Sequence, residues 1–172
     1  VVVDAGAMIG NHTVHLAALW GARVIAFEPT PINLSVMYHN VEWLTRNGFA
    51  VNVQERALSN ETGKLIMCIP DRENLGHAVV MATDPKQEQG VHYEVDAYRL
   101  DDYKLTECAL LKLDVEHHEP AVLEGAQETL TRCRPFVLIE DWTGGTYAKL
   151  LPGYHLMKSW QDTHQTCLYA PD

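Results

Sequence analysis

The chain has 172 residues, enough for one domain with a full hydrophobic core and too few for two ordinary ones. Apolar residues make up 47% of it and charged residues 21%, a balance that excludes an intrinsically disordered polypeptide. Its 13 basic and 23 acidic residues leave a formal net charge of −10, the wrong sign for holding a phosphate backbone, so nucleic acid is not expected as a partner.

Val1-Val2-Val3 is a β-branched run of the kind buried on both faces of a parallel sheet. It ends in Asp4-Ala5-Gly6-Ala7-Met8-Ile9-Gly10, after which Asn11 stands where a helix N-cap belongs. Leu16, Leu19 and Trp20 then mark one helical face that stops at Gly21. Ala22–Phe27 predicts a second strand ending at Glu28-Pro29. Thr30 and Pro31 open a helix whose face carries Leu34, Met37, Tyr38, Val41 and Leu44, and Gly48 closes it. Val51–Leu58 alternates as a third strand. Lys64–Ile69 and Val91–Tyr98 predict two more strands, separated by a polar loop or short hairpin over Asp71–Gly90. The parallel pattern resumes with a strand at Ala109–Val115. A helix follows from Pro120, with Val122, Leu123, Ala126 and Leu130, and then a strand at Pro135–Glu140. A short helix over Gly144–Leu151 and a hairpin of Tyr154–Trp160 with Thr166–Tyr169 complete the chain. Alternation of strand and helix at this spacing predicts an α/β fold: a doubly wound, mostly parallel sheet with a closing antiparallel hairpin, all within one domain.

No run reaches the roughly 18–20 apolar residues that span a bilayer, so no membrane association is expected. Cys68, Cys108, Cys133 and Cys167 are widely spaced, with no C-x-x-C. Three of them lie in or beside apolar segments, which fits a reducing, cytoplasmic setting better than a disulfide framework. Val1 already lies inside a strand-like run, and the basic start of a signal peptide is missing. The N-terminus is therefore expected to be incomplete.

The turn Asp4-x-Gly6-x-x-x-Gly10 places backbone N–H groups and a helix start at the carboxyl edge of the sheet, where doubly wound folds bind ligands. A dinucleotide turn has glycine two positions after the first, where pyrophosphate approaches bare backbone; here that position is Met8. A ligand with a small carboxylate and no phosphate needs less clearance, and Asp4 suits an ammonium group. A tight turn with no ligand is the plainer alternative. Glu28, ending the second strand, stands where a carboxylate accepts the ribose hydroxyls of an adenosine ligand.

Taken in order, Val3–Thr13, Phe27-Glu28-Pro29, Ala57-Leu58-Ser59, Asp96–Leu100 and Leu111-Lys112-Leu113-Asp114-Val115-Glu116-His117-His118-Glu119 resemble the FkbM-type methyltransferases. The resemblance implies a class I, Rossmann-like methyltransferase domain that moves a methyl group from S-adenosylmethionine to a hydroxyl oxygen of a small molecule or sugar. It puts Asp4 and Gly6, with Met8 and Gly10 in the same turn, at the methionine half of the cofactor. It puts Glu28 and Pro29 at the ribose, Arg56 and Ala57 near the adenine, and Asp114 with Glu116 toward the sulfonium and the acceptor. Met8 stands where the family usually has Asn, and His117 where it usually has Gly. These departures keep open a relative that has the fold and binds cofactor or a partner without turnover. A nicotinamide-dependent oxidoreductase is the remaining alternative.

Transfer to a hydroxyl needs a proton acceptor, and His118 is the candidate base, with Glu116 and His77 behind it. The plainer alternative has Glu116 and Glu119 favouring a helix N-terminus and the histidines solvated. Asp114, Glu140 and Asp141 end neighbouring strands and could share a divalent ion, but Trp142 stands where a completing Asn is wanted, so no metal is expected. The acceptor pocket is expected between Asp71–Gly90 and Trp142–Tyr147.

Overall fold

The computed structural model describes residues 1–69, 78–80, 90–141, 146–160 and 165–172. The first half alternates β1 (Val2–Ala5), α1 (Asn11–Ala18), β2 (Val24–Phe27), α2 (Pro31–Arg46) and β3 (Val51–Gln54). A middle section contributes β4 (Ala57–Leu58), β5 (Gly63–Ile69), β6 (Val79–Val80) and β7 (Val91–Tyr98). The second half returns to β8 (Leu110–Leu113), α3 (Glu119–Glu124), α4 (Gln127–Cys133), β9 (Phe136–Glu140), β10 (Tyr154–Ser159) and β11 (Thr166–Pro171), with short 3-10 turns at Leu100–Tyr103 and Thr146–Leu150.

Among the described residues the main sheet runs β10-β11-β9-β8-β1-β2-β3. Its strands are parallel from β3 through β9, and β11 is antiparallel to both neighbours, which is the closing hairpin the sequence predicts. The order turns back at β1, between β2 and β8, which makes the carboxyl end of β1 the switch point where such sheets open a crevice. Two core clusters cover the sheet's faces. One gathers α3, α4 and the end of the chain around Leu111, Leu123 and Tyr169; the other gathers α1 and α2 around Ala17, Met37 and Leu44. Cys68, Cys108 and Cys167 are buried and all four cysteines are free thiols, as their apolar surroundings predict. No helix among the described residues is long and apolar enough to cross a membrane.

Tertiary context overrules the sequence pattern at five places. Asn11 does not cap α1; Gly10, left-handed at φ 83, takes that position, and a Cβ there would press against Met37 of α2. The buried face of α1 is Thr13, Leu16 and Ala17, whereas Leu19 and Trp20 fall past its last turn and are 73% and 71% exposed. The predicted third strand breaks after Gln54, where Arg56 N–H folds back onto the Gln54 carbonyl at 2.9 Å, and Ala57–Leu58 leaves for a second sheet of order β4-β7-β5-β6. The predicted helix from Pro120 breaks at Gly125 and Ala126 because the Asp101 N–H claims the Gly125 carbonyl at 3.0 Å. Asp101 then caps α4 from outside, accepting from Glu128 N–H at 3.0 Å and Thr129 N–H at 2.8 Å. Tyr38, expected on the buried face of α2, is exposed and donates its hydroxyl to Glu55.

Candidate active site

The carboxyl ends of β1, β2 and β8, the start of the second sheet and the loop before α3 enclose one cavity of about 460 Å³. That volume lies within the roughly 300–1,000 Å³ usual for small-molecule and cofactor sites. Of the cofactor set expected from the sequence, Gly6, Met8, Glu28, Pro29, Ala57 and Asp114 line it, together with Arg56 and two of the three base candidates, Glu116 and His118. Asp4 and Gly10 do not line it. Gly10 serves the packing of the turn on α2, and Asp4 lies fully buried beneath the floor. His77 and Trp142 lie outside the described residues. Ala78, Val80 and Met67 give the cavity an apolar wall from the second sheet. Tyr147 turns away from it, donating its hydroxyl to buried Glu119 at 3.2 Å.

Beneath the floor is an ion cluster. Asp4 and Lys112 are register partners on adjacent parallel strands, so their side chains emerge side by side on one face. The Lys112 ammonium, itself buried, lies 3.0 Å from Asp4 Oδ1 and 3.3 Å from Asp114 Oδ2, and donates to the Gly6 carbonyl at 3.4 Å. Thr13 donates its hydroxyl to the other Asp4 oxygen at 2.7 Å. Burial disfavours the Lys112 charge, but attraction to Asp4 and Asp114 outweighs it and raises its pKa. The ammonium that Asp4 answers is thus the protein's own. Lys112 carried a signal of its own, since a lysine inside the run Leu110–Leu113 must be paired if that strand is buried.

Gly6, at φ 75, lets β1 turn against β8 so closely that a Cβ would stand 1.8 Å from the Asp114 carbonyl oxygen. Met8 follows at φ 53, a region Asn tolerates far better than Met. Its N–H donates to Glu28 Oε2 at 2.9 Å, which occupies the backbone group a pyrophosphate would need. Glu28 is buried at the cavity wall, and its Oε1 accepts from Thr30 N–H at 2.9 Å, from the Thr30 hydroxyl and from Asn33 at 3.2 Å. Burial raises its pKa, and these donors hold it down against that. Oε2, with one donor, keeps a lone pair for a further hydroxyl.

After β8 the chain makes two successive left-handed residues, Glu116 at φ 50 and His117 at φ 71. Glu119 holds this loop from behind. Fully buried, it accepts the Val115 N–H at 3.1 Å, so it serves as an internal anchor rather than a solvated charge at a helix end. His118 has its Nε2 3.0 Å from the Ser59 hydroxyl, and burial lowers its pKa, so the ring is neutral at pH 7. Asp141 is buried and accepts from Tyr169 at 3.3 Å, and among the described residues no group of three His, Cys, Asp or Glu is placed to hold a metal ion. Left-handed backbone costs a non-glycine residue about 1–2 kcal/mol. His117→Gly is therefore expected to stabilise the domain by about 1 kcal/mol in urea denaturation, and a loss of stability would show that the His side chain more than offsets that strain.

A parallel sheet with its crevice at the β1 switch point, a glycine turn after β1 and a carboxylate ending β2 define a Rossmann-like methyltransferase domain. Solved structures share this fold. The methyltransferase FkbM from Methylobacillus flagellatus matches with a TM-score of 0.69 at 22% identity, over 98% of this chain and 42% of that one, so the chain spans less than half of that protein's length. An rRNA methylase from Streptococcus thermophilus matches with a TM-score of 0.51 at 16% identity, over 98% of this chain and 82% of that one. The family model for the methyltransferase FkbM domain matches residues 4–155, and the chain belongs to that family. A curated relative, methyltransferase sdnD from Sordaria araneosa, is 25% identical over 99% of this chain and 77% of its own length.

Proposed function

We propose that this domain transfers a methyl group from S-adenosylmethionine to a hydroxyl oxygen of a small molecule or sugar. The observation that carries the reading is a single cavity with the Glu28 carboxylate in its wall and the neutral His118 ring lining it. The residues present suit the cofactor. Glu28 Oε2 offers an acceptor for ribose hydroxyls, and the apolar wall around Ala57 and Leu58 suits a purine. Arg56 Nε, buried without a hydrogen-bond partner among the described residues, suits a ring nitrogen. Asp114 and Glu116 bring negative charge for the cationic end. When bound, the cofactor supplies a methyl group already activated by a sulfonium charge. The chain's part is to align the acceptor, exclude water and take the hydroxyl proton, which we assign to His118. Glu28, Asp114, Glu116 and Glu140 in the cavity wall disfavour a polyphosphate acceptor, which supports a neutral small molecule or sugar over nucleic acid.

Calorimetry with S-adenosylhomocysteine tests the cofactor site. Wild-type protein is expected to bind, and Glu28→Ala to lose roughly 10- to 100-fold in affinity, the scale of a hydrogen bond to a charged group. Equal affinity in the variant would remove Glu28 from the site. Positive φ at Met8, Glu116 and His117 favours a second reading, in which strain at both cavity loops leaves binding without turnover. A panel of hydroxylated acceptors separates the two.

For turnover, the pH profile carries a sign. A base whose pKa is lowered by burial stays unprotonated into mild acid. The acid limb of kcat/KM is thus expected below pH 6.5, the ordinary histidine value, and to vanish in His118→Gln. An acid limb that persists in His118→Gln would assign proton removal elsewhere.

A further inference from the structure

Ser59 follows β4, is buried and stands outside the cavity lining. Its hydroxyl lies 3.0 Å from His118 Nε2 and donates to Asn60 Oδ1 at 3.3 Å. The Asn60 amide is oriented by a third residue. Its Nδ2 donates to Glu124 Oε2 at 2.9 Å, and a carboxylate only accepts, so Oδ1 is the atom turned toward Ser59. A serine hydroxyl has a single proton. With that proton directed to Asn60, the Ser59 oxygen meets His118 with a lone pair, and Nε2 must supply the hydrogen between them. Nδ1 has no hydrogen-bond partner among the described residues.

The segment and the helix behind it are clamped together. At the junction of α3 and α4, a Cβ on Gly125 would stand 2.0 Å from the Ser59 carbonyl oxygen, and Ser59 N–H donates to the Tyr98 carbonyl at 2.9 Å. Ser59 therefore cannot drift from the helix that His118 begins.

We propose that Glu124, Asn60 and Ser59 form a relay that fixes the proton of neutral His118 on Nε2 and leaves Nδ1 as the atom that takes the acceptor's hydroxyl proton. The proposal rests on the reading of His118 as the base. In the transfer, the acceptor oxygen bonds the methyl carbon as the carbon–sulfur bond breaks, the bonding pair stays on sulfur, and the hydroxyl proton ends on Nδ1. The resulting imidazolium still donates Nε2–H to Ser59, so the relay needs no rearrangement. Ser59 and Asn60 are positioning residues that act only through the ring.

Long-range proton–nitrogen correlation spectra of the imidazole rings distinguish the two neutral tautomers, with His118 assigned by the loss of its signals in His118→Gln. An imidazole in water also favours Nε2–H, so the variants decide. In Asn60→Ala the Ser59 proton turns to Nε2 and the ring is expected to switch to Nδ1–H. Asn60→Asp combined with Glu124→Gln keeps an acceptor oxygen beside Ser59 and restores a donor–acceptor bond to residue 124 with its direction kept off the Ser59 oxygen, and is expected to keep Nε2–H. Nδ1–H in the wild type, or Nε2–H persisting in Asn60→Ala, would overturn the relay. This readout needs neither cofactor nor acceptor, so it is separate from the base assignment. Methyl transfer from labelled S-adenosylmethionine to monosaccharides and phenols reads the base. A general base contributes about 10²–10⁴-fold, so Asn60→Ala is expected to lose at least about tenfold in kcat while Asn60→Asp combined with Glu124→Gln retains activity. A tautomer switch with unchanged kcat would keep the relay and overturn Nδ1 as the base.

Discussion

Gly6→Ala is expected to destabilise the domain by about 3 kcal/mol or more and to abolish S-adenosylhomocysteine binding. Two effects add. Left-handed backbone at φ 75 costs a residue with a Cβ about 1–2 kcal/mol. The added carbon also stands 1.8 Å from the Asp114 carbonyl oxygen and 2.8 Å from its carbon, both backbone atoms that cannot swing aside. Relief requires the ends of β1 and β8 to part, and with them the Asp114 N–H bond to the Ala5 carbonyl at 3.2 Å. Gly21 supplies the control. At φ 63 a Cβ there meets nothing within 4 Å, so Gly21→Ala carries the backbone cost alone, about 1 kcal/mol. Urea denaturation of the two variants separates conformational strain from collision. Equal losses would mean that the floor of the cavity yields easily.

Lys112→Met is expected to be comparably damaging, at about 3–5 kcal/mol, because it strands two carboxylates around a buried site. The wild-type cluster balances its desolvation with contacts at 3.0 Å to Asp4 and 3.3 Å to Asp114. Removal of the cation leaves Asp4 wholly buried with only the Thr13 hydroxyl to answer its charge. The double variant Asp4→Asn/Lys112→Met removes one stranded charge and is expected to be more stable than Lys112→Met alone. The opposite order would mean that the charges are solvated well enough not to need each other. The sign of the pH dependence follows from the raised Lys112 pKa. Its contribution is fully present below the unfolded lysine value of about 10.4 and is lost as pH rises through the higher folded value. Wild type is therefore expected to lose stability more steeply than the variant between the unfolded lysine value and the higher folded one.

Periodicity made the parallel sheet legible because its strands are buried on both faces and read as short apolar runs between helices with clear starts and stops. The same reasoning failed where a residue answers a distant partner. Gly125 sits in an unbroken helical pattern, yet Asp101 and the Ser59 carbonyl, far away in sequence, end the helix there. Trp20 is apolar and at helical spacing, but the helix stops two residues before it. At the site, Glu28 and Gly6 could be placed by their position at strand ends, whereas Asp4 was matched to a ligand's ammonium because nothing local reveals Lys112 as its register partner.

The sequence by itself determined the fold class, the family, and the edge of the sheet at which the cavity opens. These depend on local pattern and on an ordered series of motifs, both of which are properties of neighbouring residues. Tertiary structure alone decided which polar groups are already satisfied within the protein and which are left for a ligand. Lys112 neutralises Asp4, Glu119 anchors the loop of His118, and Ser59 meets the imidazole from 59 residues away. The reason is physical: a buried donor or acceptor must be paired, and its partner is chosen by distance in space, which a linear sequence does not carry.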